Sequence, residues 1–161
     1  MQQIRSPIKR SKQLAALSRR HHDILLFVWK IRQGITNGIV AQRIGNYCEW
    51  YWNNYLSQYF RDEEMALSKT LPACHALMNN LFEDHEAIRL QMEQVLDFPT
   101  YHSTERLAQI VFYHIRFEER ILFPHIEDAA TAEALAQAAS HLPGSKQTNP
   151  NWNDEFWVKL K

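Results

Sequence analysis

The sequence predicts an all-α fold: an antiparallel up-down four-helix bundle with a short fifth helix and a C-terminal tail. Three observations carry that expectation. Apolar residues recur at three- and four-residue spacing over four long stretches. Only four glycines and six prolines punctuate 161 residues, and long stretches have none, which disfavours a turn-rich β architecture. The connections between the stretches are short, so consecutive helices should lie as antiparallel neighbours.

Residues 1–10, basic and without an apolar signal core behind them, form an expected flexible arm. A helix pattern starts at Ser11, with Leu14, Leu17, His21, Ile24, Leu25, Val28 and Ile31 on its buried face, and ends near Gly34 before an Asn37-Gly38 turn. The second helix, Ile39 to about Ser68, is rich in aromatics, and its later stripe reads Trp52, Leu56, Tyr59, Glu63, Leu67. Leu71-Pro72 breaks the chain, because proline disfavours helix at the residue before it. The third helix runs from Ala76 to Leu96 with stripe Met78, Leu81, Phe82, His85, Ile88, Met92, Val95, and Phe98-Pro99 closes it. The fourth, capped by Ser103 or Thr104 and running to about Pro124, carries Ile110, Phe117 and Ile121 with His114 and Glu118 between them. Alanine-rich Thr131 to Ser140 is the short fifth helix, which completes a domain over 11–142. The tail, 143–161, is polar but holds Trp152, Phe156 and Trp157, so it is expected to dock, either on the domain or on a partner.

Composition narrows the function. Hydrophobic content is 45%, charged content 22% and formal net charge zero, as in an ordinary soluble protein. Without a basic excess, neither nucleic acid nor an anionic membrane is an expected partner. The run Ile24 to Trp29 is too short to cross a bilayer. Two cysteines, Cys48 and Cys74, are too few for a disulfide framework, which fits free thiols in the cytoplasm.

The informative residues interrupt the apolar stripes. His21, Tyr59 with Glu63, His85, and His114 with Glu118 each fall near the middle of a buried face. Residues four apart on a helix are offset by about 40°, so Tyr59 and Glu63 point one way, as do His114 and Glu118. Burying two carboxylates and three imidazoles unpaired would oppose a total stability of only about 5–15 kcal/mol. A shared cation removes that cost. Imidazole nitrogen with carboxylate oxygen suits iron, manganese or zinc, and the lack of thiolates argues against a zinc finger or an iron–sulfur cluster.

The segments L17-S-R-R-H21-H22-D, Y59-F-R-D-E63-E64, E83-D-H85-E-A-I-R and H114-I-R-F-E118-E119-R-I-L-F-P124 resemble the hemerythrin-like (HHE cation-binding) family of bacterial non-heme di-iron proteins. The resemblance implies two iron ions joined by an oxo or hydroxo bridge. It implies His21, Glu63, His85, His114 and Glu118 as ligands, with His22 as competitor to His21 and Glu119 as a weaker candidate beside Glu118. Two departures stand out. Tyr59 occupies a position where the family has histidine, and Arg89 stands where oxygen-carrying members have a second histidine on the third helix. A phenolate favours the ferric state, so Tyr59 is expected to ligate iron at the expense of reversible oxygen carriage. The expected function is binding or sensing of dioxygen, nitric oxide or peroxide. The alternatives are an enzyme consuming peroxide or a nitrogen oxide, and a non-catalytic metal-handling bundle. His75, His102 and His141 are expected at the surface, and His125 as a cap or second-site residue.

Overall fold

A backbone amide at a helix start needs an acceptor, and the side chains of His75, Thr100 and Thr131 each supply one. The computed structural model describes residues 10–142 and 151–159. Most of the expected arm, residues 1–9, and residues 143–150 and 160–161 of the tail lie outside the described residues. Helix α1 is Ala15–Thr36, and Gly38 turns the chain after it with φ of 70°. Helix α2 (residues 41–67) consists of α-helical Ala41–Tyr51, a π turn at Trp52–Leu56 and α-helical Ser57–Leu67. Helix α3 is Ala76–Asp97, capped by His75, whose Nδ1 accepts from the Leu77 amide at 3.1 Å. Helix α4 (residues 101–129) joins Tyr101–Phe117, a second π turn at Glu118–Leu122, and Phe123–Ala129. Helix α5 is Ala132–Ser140, capped by the Thr131 hydroxyl. Among the described residues there is no strand, and no helix is long and apolar enough to cross a membrane.

Several local expectations change, and α1 starts at Ala15 where the pattern began at Ser11. The cap of α4 is Thr100, one turn earlier than expected; its hydroxyl accepts from the Ser103 amide while Ser103 Oγ accepts from the Thr100 amide, a reciprocal capping box. The helix also continues through Pro124 to Ala129. Proline lacks an amide to donate, and it is tolerated here just after a turn whose ladder is already widened. That underwound turn shifts the inward direction from Ile121, which is 52% exposed, to fully buried Leu122. On α3, Phe82 is 41% exposed and leaves the core to its neighbours Leu81 and His85.

Gly34 does not end α1 but sits inside it. A Cβ there would lie 2.7 Å from the Phe156 ring, so the glycine opens the seat for that buried side chain. Residues 151–159 therefore dock on the chain's own helices. Asp154 takes both Arg43 Nε (3.0 Å) and Nη2 (2.6 Å), Asn37 donates to the Trp157 carbonyl at 3.1 Å, and Trp152, Phe156 and Trp157 surround Tyr47.

The core lies where α4 packs on both α1 and α3, with α2 against α1, α3 and α4, and α5 against the second half of α2. All four long helices thus send side chains into one interior, and the polar interruptions meet there.

Candidate metal centre

Imidazole has two ring nitrogens, and a hydrogen bond to one decides what the other can do. His21, His85 and His114 all use Nδ1 on an acid at the rim. His21 Nδ1 lies 2.6 Å from Glu119 Oε1, His85 Nδ1 2.6 Å from Glu64 Oε1, and His114 Nδ1 3.0 Å from Asp84 Oδ2. Carboxylates accept, so Nδ1 carries the hydrogen and each Nε2 is turned inward. Aromatic rings hold the planes: Phe60 stacks on His85 with centroids 3.9 Å apart, and Phe123 on His21 at 5.4 Å.

The inward nitrogens converge on two fully buried carboxylates. His85 Nε2 is 3.2 Å from Glu63 Oε2 and 3.1 Å from His114 Nε2; His114 Nε2 also meets Glu118 Oε1, and His21 Nε2 lies 3.3 Å from Glu118 Oε2. Glu63, His85, His114 and Glu118 bring ligand atoms within 4.8 Å of one another. Tyr59, 2% exposed, donates its hydroxyl to Glu63 Oε1 at 3.0 Å and stands edge-on to His21. So all six residues singled out in the sequence lie in one interior region. His21 and Tyr59 border the group of four.

A match to the hemerythrin HHE cation-binding domain covers residues 13–126. The chain belongs to that family. Comparison with curated proteins and with solved structures gives no match.

The hemerythrin family implies iron, and the side chains present fit a cation. His21 Nε2, Glu63 Oε2 and both Glu118 oxygens are buried and make no hydrogen bond, although Glu63 stands at ion-pair distance from one imidazole and Glu118 from two. Buried polar atoms left this way are costly unless something else satisfies them. Protonation points the same way. Burial alone would lower the His21 and His114 pKa values, yet Glu118 and the rim carboxylates hold them at about 9 and about 10. His85 is raised too, with Glu63 and Glu64 outweighing its burial. Burial and the Glu118 charge push Glu63 up to about 7, whereas the His114 and His21 charges overcome burial and keep Glu118 well below the usual carboxylate range. The hemerythrin interior thus holds positive charge firmly; protons supply it when no metal does.

Each doubled acid divides between the interior and the rim. In both Y59-F-R-D-E63-E64 and H114-I-R-F-E118-E119 the first glutamate points inward. The next, turned about 100° around the helix, reaches an imidazole of another helix: Glu64 holds His85 and Glu119 holds His21. Glu119 is therefore placed as a support for His21, outside the group of four. Asp84 adjoins His85 in sequence but serves His114, and no spacing rule announces that pairing. His22 is exposed, Arg89 faces outward to Glu86 and Glu93, and His125 lies tilted against His75 with centroids 5.0 Å apart. His102 and His141 are exposed, as expected.

Proposed function

We propose that this chain is a cytoplasmic non-heme di-iron protein of the hemerythrin family, with its long helices in an antiparallel up-down bundle, that binds or senses a small oxidant or diatomic: dioxygen, nitric oxide or peroxide. The observation that carries the reading is the set of inward atoms without hydrogen-bond partners, contributed by Glu63, Glu118 and His21 beside the paired Nε2 atoms of His85 and His114. Glu63 and Glu118 come from different helices and each has imidazole nitrogen on its flank, the disposition that lets carboxylates bridge two ions. Bound iron would supply an exchangeable redox state and a coordination position for the small ligand.

Tyr59 supports a direct role at the centre, because its oxygen already touches Glu63. Burial, Glu63 and Glu118 hold its pKa far above the ordinary phenol value, so in the metal-free chain it is a hydrogen-bond donor. Only a strong local positive charge would release that proton and make it a ligand. The same residue favours the second reading, an enzyme turning over peroxide or a nitrogen oxide.

The test is to load the protein with iron, count metal per chain, and titrate the ferrous form with nitric oxide and the ferric form with peroxide while recording the visible spectrum. Two irons per chain and a saturable spectral change support a binding protein. Sustained peroxide loss moves the reading to the enzyme, and less than one metal per chain overturns both.

A further inference from the structure

The segment just before α1 reaches the supports of one imidazole from two directions. Arg10 is nearly buried, its side chain 7% exposed. Its Nη2 donates to Glu119 Oε2 at 2.8 Å and to the Glu119 carbonyl at 2.9 Å, and its Nη1 meets Glu127 Oε1. Its guanidinium carbon also lies 5.3 Å from the centroid of Phe123. Glu119 and Phe123 are two of the groups that hold His21, one bonding Nδ1 and the other stacked on the ring with an interplanar angle of 11°. The contacts fall on and beside the π turn Glu118–Leu122, where the helical ladder is widened and external donors can engage its carbonyls. The Ser11 amide adds a bond to Glu127, so two consecutive residues fasten to α4.

We propose that Arg10 is a positioning residue for His21: it clamps Glu119 and Phe123 together, and so controls how firmly the centre retains metal on its His21 side. The inference rests on the metal-binding reading above and adds to it a residue outside the histidine–carboxylate set and outside the matched span, 13–126. A planar guanidinium suits the task, since one group bonds a carboxylate, bonds a backbone oxygen and lies against an aromatic ring. Lysine carries the charge but cannot reproduce that geometry, so it should restore function only in part.

The experiment compares wild type, Arg10→Gln, Arg10→Lys and a remote core variant, Val95→Ala. Each is loaded with cobalt(II), the visible spectrum is recorded, and loss of metal to excess chelator is timed. Arg10→Gln should release metal roughly 10-fold faster or more, in line with the cost of disturbing groups that orient metal ligands, and should shift the cobalt bands. Arg10→Lys should fall between, and Val95→Ala should keep the wild-type spectrum and rate even where its melting temperature drops. If Arg10→Gln matches wild type in both rate and bands, or if Val95→Ala reproduces its effect, the positioning role is overturned. If wild type itself takes up no metal, the metal-binding reading fails, and the role of Arg10 with it.

Discussion

His85 and His114 meet Nε2 to Nε2 at 3.1 Å, while Glu64 and Asp84 hold the opposite nitrogen of each ring. Two imidazoles locked in this way cannot both offer a lone pair across the gap without a proton or a metal to receive it. Removing one ring should therefore show directly in metal content. His114→Ala is expected to hold at least one metal fewer per chain than wild type, read by elemental analysis after gel filtration. Unchanged stoichiometry would mean that the pair is not a metal-facing element.

The rim acids should matter without touching the metal. Glu64→Gln and Asp84→Asn weaken the bonds that fix His85 and His114, and each should reduce metal affinity about 10–100-fold. Competition with a chromophoric chelator measures this. Glu86→Gln, on an exposed residue of the same helix, is the matched control.

Stability of the metal-free chain should fall as pH rises. His21 and His114 have folded-state pKa values of about 9 and about 10 against 6.5, and Glu63 about 7 against 4.5. Raised values mean that the folded form binds the extra protons, so their stabilisation is complete below the unfolded values and is lost on the way up. Glu118, held low, acts in the opposite sense and only in acid. The melting temperature of the chelated protein should decline from about pH 5 to about pH 10, and metal should flatten the profile by taking the place of the protons. A chelated protein whose melting temperature climbs through that range would contradict the charge assignment.

Tyr59→Phe separates coordination from packing. Ferric wild type should show a phenolate-to-iron charge-transfer band that the variant lacks. The variant also removes the hydroxyl that bonds buried Glu63, at a stability cost of about 1–3 kcal/mol. A band that survives in the variant would place Tyr59 beside the metal and not on it.

The docked tail predicts a conventional packing loss. Phe156 is 2% exposed and fills the seat above Gly34. Phe156→Ala should cost about 3–5 kcal/mol in denaturant unfolding. Metal stoichiometry should be unaffected, because the seat lies at the Tyr47 cluster and not at the histidines.

The polar interruptions were legible in the sequence because each broke an apolar stripe, and the long helices because their periodicity ran for many turns. What stayed hidden depends on relations between helices. Asp84 serves His114 across an interface that no helical spacing encodes, and Arg10 lies in a basic stretch that read as a loose arm. Whether Trp152 and Phe156 would dock on this chain or on another could not be told from their hydrophobicity; the space left by Gly34 and the partner of Arg43 decide it. A fixed α-helical period across Glu118 points Ile121 inward, whereas the π turn there brings Leu122 in instead.

The two π turns have a practical consequence for placing this chain beside its relatives. An i→i+5 turn takes up one residue more than the α turn it replaces, so the second and fourth helices each hold a surplus position in mid-helix. An alignment that forbids gaps within helices would slip by one residue beyond that point when the relative has a regular helix there. Counted back from Leu122, such a slip puts Glu119 in the place of Glu118, reading a clamp on the rim as a member of the interior cluster.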